Sequence, residues 1–314
     1  MSARGRDGHA AVSAESSADR AALVLLGHGS RDAAGAAEFL AIAEGVRVAL
    51  PGITVEAGVL EFAGPAAPSI AEAFARCAAR GARGILALPA LLHFAGHATE
   101  DMPAQVAAAR KRFPATEIRL AQPLSGHPAL LDVLADRCRA TPLGNARDAT
   151  VLLVGRGSTS PRANADLFGT ARLFEERGQY AAAEVCFVSL APPSVPAGLR
   201  RCVALGARAI IVAPYFVNTG LLVQRIARQV AAARAAYPVA EMTVADHFGP
   251  DPRLVGALLD RARDAWPEII PGPGHGEQPS AAAAAWPQPE VRATDCDCNS
   301  APVRAALSSG GRRA

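Results

Sequence analysis

The chain has 314 residues, enough for two ordinary domains, and half of it is hydrophobic, enough to give each a substantial core. A formal net charge of only +3 gives no case for a dedicated nucleic-acid binder and leaves an anionic small molecule open as a ligand. Six cysteines scattered along the chain argue against a small disulfide framework, and the polar first twenty residues lack the apolar core of an export signal, so a cytoplasmic protein is expected.

After a loose tail over 1–20, the apolar run Ala22 to Leu26 reads as a buried parallel strand that opens into Gly27-His28-Gly29-Ser30. A helix is predicted from about Ala33 to Leu50, ended by Pro51-Gly52, and then a second strand from Thr54 to Phe62. A second helix is predicted from Pro68 to Arg80 and a third strand from Gly84 to Leu88. They are followed by a helix from Met102 to Phe113, a strand from Glu117 to Ala121 and a helix from Pro128 to Arg139. The most apolar later stretch, 84–96, is shorter than the ~20 residues that span a bilayer and is broken by Pro89 and His93, so no membrane span is predicted. Strands alternating with helices imply an α/β fold with parallel sheets covered on both faces.

The same order recurs after Thr150, and the second half reads as a diverged copy of the first. LVLLGHGS at 23–30 matches VLLVGRGS at 151–158, GARGILALP at 81–89 matches GARAIIVAP at 206–214, and HPALLDVLADRCR at 127–139 matches DPRLVGALLDRAR at 251–263. The expected organisation is therefore an N-terminal lobe over 21–145, a C-terminal lobe over 150–268 and a disordered tail over 269–314, rich in Pro and Gly at its start. Asp295-Cys296-Asp297-Cys298 in that tail offers two thiols without partner ligands, a poor closed metal site.

In a parallel sheet, ligands bind beyond the C-terminal strand ends. His28, Gly29 and Ser30 follow the first strand, Glu61 stands near the end of the second, and His93, Gly96, His97 and Glu100 follow the third. Neutral imidazoles suit borderline divalent ions, glycines allow a flat ligand close to the backbone, and a carboxylate can attract the ion or accept protons. His93 and His97 have the spacing of a helical zinc pair, but Gly96 between them favours a loop, and no Glu follows His93, so the metalloprotease pattern fails. His93 lies in an apolar run and reads as a packing or supporting residue. His9, His127, His247 and His275 read as surface or tail residues.

LLGHGSRD, LEFAGP at 60–65, FAGHATEDMP at 94–103 and VGRGSTSPRANAD at 154–166 together resemble the long form of the sirohydrochlorin cobaltochelatase family, over about residues 21–266. Its relatives are the siroheme ferrochelatases and the wider class II chelatase group. The resemblance implies two duplicated chelatase-like lobes, each a parallel sheet flanked by helices, with a cleft that receives the tetrapyrrole. It implies that His28 and His97 bind the metal and catalyse insertion, that Glu61 assists as a catalytic group, and that sirohydrochlorin and a divalent ion are the substrates, with no organic cofactor; the long form favours Co²⁺, with Fe²⁺ insertion for siroheme as the alternative. Gly29, Ser30 and Gly96 would line the tetrapyrrole site. Glu100 would orient His97, attract the metal or cap the following helix.

Two departures qualify the likeness. In the second half Arg156 replaces His28, and the loop matching His97 reads Val217-Asn218-Thr219-Gly220-Leu221-Leu222, without a histidine. Arg156 can pair with a substrate carboxylate, or form an ordinary surface ion pair. The tail carries one histidine, His275, and a Cys-x-Cys where long-form relatives often have a histidine-rich stretch and an iron–sulfur motif, so no cluster is predicted. Residue types alone leave cobalt against iron, a non-catalytic tetrapyrrole or metal carrier, and the oligomeric state open.

Overall fold

The computed structural model describes residues 21–65, 67–92 and 101–270. Eight strands alternate with eight helices among them. The first four pairs are β1 (Ala21–Gly27), α1 (Ala33–Ala49), β2 (Thr54–Val59), α2 (Ile70–Ala79), β3 (Gly84–Pro89), α3 (Met102–Arg112), β4 (Glu117–Leu120) and α4 (Pro128–Arg139). The second four are β5 (Thr150–Gly155), α5 (Pro161–Glu176), β6 (Ala182–Phe187), α6 (Val195–Ala204), β7 (Ala209–Pro214), α7 (Leu221–Ala236), β8 (Glu241–Val244) and α8 (Pro252–Ala265). They form two all-parallel sheets with the same topology, β2-β1-β3-β4 and β6-β5-β7-β8, which confirms the duplicated α/β architecture. No helix among the described residues is long and apolar enough to cross a membrane.

Side chains alternate across each sheet as the period of two requires. Leu23 and Leu25 face α1 and α4, while Ala22, Val24 and Leu26 face α2 and α3, where Phe74, Met102 and Val106 complete a core of their own. In the second lobe Leu152 and Val154 face α6 and α7. Val151 and Leu153 point the other way, into the same core as Leu23 and Leu25. One apolar core therefore runs from sheet to sheet through α1, α4, α5 and α8. The two lobes are welded along that face. At Gly45 of α1 an added Cβ would stand 2.8 Å from Val255 of α8, so the missing side chain is what lets these helices approach.

Several predicted boundaries shift for visible reasons. The second helix begins at Ile70 because Ser69 and Glu72 form a reciprocal cap: the Ser69 hydroxyl accepts the Glu72 N–H and the Glu72 carboxylate accepts the Ser69 N–H. The second strand ends at Val59, three residues before Phe62, because Phe62 adopts a left-handed backbone, φ 57°, that turns the chain off the sheet. Residues 269 and 270, expected to open the tail, lie among the described residues. Ile269 and Ile270 close a turn onto the Trp266 carbonyl, and Ile270 is buried in the shared core. Residues 1–20 and 271–314, with Cys296 and Cys298, lie outside the described residues.

Candidate functional site

The loop after β1 is built by backbone demands. Gly29 has φ +93°, and a Cβ there would fall 1.9 Å from the Glu61 carbonyl oxygen. Only glycine fits. The approach is locked by the Glu61 N–H, which donates to the His28 carbonyl at 3.0 Å, and by the Leu60 N–H, which donates to Gly27 at 3.1 Å. Asp32 then starts α1, its carboxylate accepting the N–H groups of Ala34 and Gly35 at 2.9 and 3.2 Å. The Ser30 hydroxyl accepts the Asp32 N–H at 3.1 Å, so it shapes this turn.

His28 and Glu61 are thereby brought to one rim at the C-terminal end of the sheet, as their strand positions predict. His28 is half-buried and Glu61 exposed. Nδ1 of His28 lies 3.3 Å from the Gly29 carbonyl. A proton on Nδ1 donates to that oxygen and makes Nε2 the lone-pair nitrogen, the form a metal ligand requires. His93, Gly96, His97 and Glu100 lie outside the described residues. The chain leads toward them from β3, the neighbour of β1, with the Ala90 N–H bonded to the Leu26 carbonyl at 2.9 Å. Among the described residues no group of three or more His, Cys, Asp or Glu side chains is placed to hold a metal. Cys77, Cys138, Cys186 and Cys202 are buried thiols, and burial raises their pKa, to about 12 for Cys77, so they serve as packing.

The second lobe repeats the frame without the chemistry. Gly157 has φ +83°, and a Cβ there would lie 2.7 Å from the Ala191 nitrogen. The Ser189 N–H donates to the Arg156 carbonyl at 3.1 Å, the bond that Glu61 makes to His28 in the first lobe. Ser189 thus stands in the place of Glu61, a loss the sequence alone did not reveal because the segments around it have diverged. Arg156 is exposed, and among the described residues no carboxylate pairs with it.

Two histidines read as surface residues belong to lobe contacts. His247, after β8, places Nε2 2.9 and 3.0 Å from the two carboxylate oxygens of Glu38 on α1, and Glu38 also accepts the Thr219 N–H at 2.6 Å. Gln224 donates to Asp32 at 3.1 Å, and Gly35 lies so close to Thr219 that a Cβ would meet its carbonyl at 2.5 Å. The loop that has lost the histidine is therefore packed against the start of the helix that follows His28. His127 caps α4, its Nδ1 accepting the Ala129 N–H at 3.3 Å, while Nε2 lies 3.4 Å from Asp260 of α8. For His127 a signal existed: the third internal match aligns it with Asp251, which caps α8. For His247 none did, since Glu38 is 209 residues away.

A concavity of about 230 Å³, lined by Asp148, Thr150, Glu184 and Cys202, lies at the N-terminal end of the second sheet, away from this rim. It is remote from the strand ends where ligands bind in such sheets.

Comparison with known proteins agrees with the geometry. The CbiX family model matches twice, over residues 22–141 and 150–265. The chain is 31% identical over 249 residues to a sirohydrochlorin cobaltochelatase of Priestia megaterium, covering 77% of this chain and 79% of that one. It is 31% identical over 205 residues to a sirohydrochlorin ferrochelatase of the same organism, covering 65% and 76%. Among solved structures, SirB from Bacillus subtilis with Fe³⁺ superposes with a TM-score of 0.68 at 27% identity, covering 78% of this chain and 95% of that one. The sirohydrochlorin chelatase SirB of Bacillus subtilis subspecies spizizenii in complex with cobalt gives 0.65 at 27% identity, covering 78% and 94%. Two copies of one family unit, in register with two copies of one sheet topology, show that the chain belongs to the CbiX family of sirohydrochlorin chelatases.

Proposed function

We propose that this chain inserts a divalent metal ion, Co²⁺ in the first reading, into sirohydrochlorin, and that the first lobe carries the chemistry. The observation that carries the assignment is the asymmetry of the two rims: His28 and Glu61 stand together in the first lobe, while Arg156 and Ser189 replace them in the second. The metal must shed water and exchange protein ligands for four ring nitrogens, and the macrocycle must release two pyrrole protons. His28 and His97 hold the incoming ion, and one of them or Glu61 accepts a pyrrole proton as the ion transfers. Gly29 lets the substrate-facing loop close against Glu61, Gly96 leaves backbone open to the flat substrate, and Ser30 shapes the loop. Glu100 orients His97, and His93 supports the same segment.

Iron insertion is the second reading, because relatives of similar identity carry both cobaltochelatase and ferrochelatase names, and imidazole serves both ions. Purified protein with sirohydrochlorin and either Co²⁺ or Fe²⁺, followed by absorbance, tests both readings. Turnover with one ion in preference assigns the metal, and binding of sirohydrochlorin without turnover makes the chain a carrier. His28→Ala and His97→Ala are each expected to abolish most insertion under limiting metal while the far-ultraviolet circular dichroism stays unchanged. Wild-type rates in both variants would remove the metal assignment.

A further inference from the structure

The corner where the chain leaves β2 holds a side chain that neither the core nor metal handling accounts for. Phe62 is the one non-glycine residue with positive φ among the described residues, and it is 44% exposed. A bulky residue in a left-handed backbone is uncommon, and an aromatic ring there gains nothing for the core when it points to solvent. The ring stands on the same rim as the metal-handling residues, one position past Glu61, whose N–H is tied to the His28 carbonyl. Arg31, three residues after His28, lays its guanidinium over the ring, 4.7 Å from the centroid. Among the described residues no carboxylate pairs with Arg31.

The second lobe keeps part of the arrangement. Leu190 occupies the position of Phe62, is 51% exposed, and its N–H donates to the Arg156 carbonyl at 3.2 Å. Each lobe therefore sets one large apolar side chain at the end of its second strand and, in the loop after its first strand, one arginine that lacks a carboxylate partner among the described residues, Arg31 in the first lobe and Arg156, at the place of His28, in the second. That pairing suits a ligand that is flat and apolar at its centre and anionic at its edge. A bare metal ion or a simple anion would have no use for the exposed ring.

We infer that Phe62 and Arg31 grip one edge of the tetrapyrrole, the ring packing on the macrocycle and the guanidinium pairing with a peripheral carboxylate. The inference rests on the substrate proposed above. Phe62 and Arg31 set affinity for the tetrapyrrole, and the metal step runs on His28, His97 and Glu61. The stacking between them holds the guanidinium in place before the ligand arrives.

Titration of the full-length protein with metal-free sirohydrochlorin, followed by absorbance, tests this. Phe62→Asn removes the ring and supplies a residue that tolerates the left-handed backbone, so thermal stability is kept while the Kd for sirohydrochlorin rises about tenfold. Arg31→Gln raises it by about fivefold or more at low ionic strength, and the difference from wild type shrinks as salt is added. For both variants kcat at saturating tetrapyrrole stays near the wild-type value while KM rises. Leu205→Asn, an exposed apolar residue after α6, serves as the control and keeps wild-type affinity. Wild-type Kd in Phe62→Asn and Arg31→Gln, or equal weakening in the control, overturns the grip and leaves the substrate assignment standing. Failure of the wild-type protein to bind sirohydrochlorin overturns both.

Discussion

At the scale of single residues, the two loops that match between the lobes separate what the frame needs from what the chemistry needs. The glycines persist in both because backbone sterics require them, whereas His28 becomes Arg156 where the metal is no longer handled. Gly29→Ala would push a Cβ into the Glu61 carbonyl and strain a left-handed position, a combined cost of about 2 to 4 kcal/mol. The expected result is a lower unfolding midpoint in urea together with loss of insertion, because the His28–Glu61 spacing depends on that approach. Arg156→Ala is a different kind of change. It touches an exposed side chain with no carboxylate partner among the described residues, so stability is expected to hold. KM for sirohydrochlorin should rise roughly tenfold to a hundredfold if a charge-assisted contact is lost, with metal affinity nearly unchanged. Arg156→Lys should recover only part of it, since an ammonium lacks the two-pronged geometry. An unchanged KM in a steady-state titration would return Arg156 to the bulk surface.

At the scale of elements, helix ends carry much of the contact between the lobes. His127 begins α4, and its ring faces Arg261, Asp260 and Asp264 of α8. Its pKa lies below the ordinary histidine value, first because burial disfavours the charged ring and then because Arg261 repels it, with Asp260 and Asp264 opposing. A base held below its unfolded pKa stabilises the fold fully above that unfolded value, about 6.5. The contribution declines as pH falls from there toward the folded pKa. Protonation also turns the capping nitrogen from acceptor to donor against the Ala129 N–H. His127→Asn keeps a capping acceptor and removes the titration. Urea unfolding at pH 7 and pH 5 is therefore expected to show a smaller loss of stability for the variant than for wild type, and an equal or larger loss would sink this account. Asp251, the corresponding cap of α8, has its pKa lowered chiefly by the hydrogen bonds from Arg253, with Arg137 adding to the effect. Its contribution is present above the ordinary carboxylate pKa and is lost only at more acid pH.

At the scale of the whole molecule, the two lobes are one folding problem. Leu23, Phe39, Leu134, Val151, Phe174 and Leu258 belong to a single core, and arginines cross it in both directions: Arg137 donates to the His247 and Phe248 carbonyls, and Arg261 to the Ser125 carbonyl. A chain cut after residue 145 would expose the inner faces of α1 and α4, where each fully buried aliphatic side chain is worth roughly 1.5–3 kcal/mol. It is expected to self-associate or precipitate rather than run as a soluble monomer on size exclusion, and the intact chain is expected to unfold in one transition by both fluorescence and circular dichroism. A soluble, cooperatively folding monomeric half would contradict the shared core.

The sequence by itself determined the alternation of strands and helices, the duplication and the residues at the strand ends. Those properties are local: period-two and helical patterns, glycines that a left-handed turn demands, and segments close enough to a repeat to align. It placed His28 and Glu61 on one rim because parallel strands deliver their C-terminal loops to a common edge. Only the tertiary structure decided that the lobes share a core, that His247 meets Glu38, that Ser189 stands where Glu61 does, and that Phe62 turns its ring outward under Arg31. The reason is common to all four. Each depends on which face of an element meets which partner across tens to hundreds of residues, and an amphipathic pattern fixes that a face is buried without fixing what buries it.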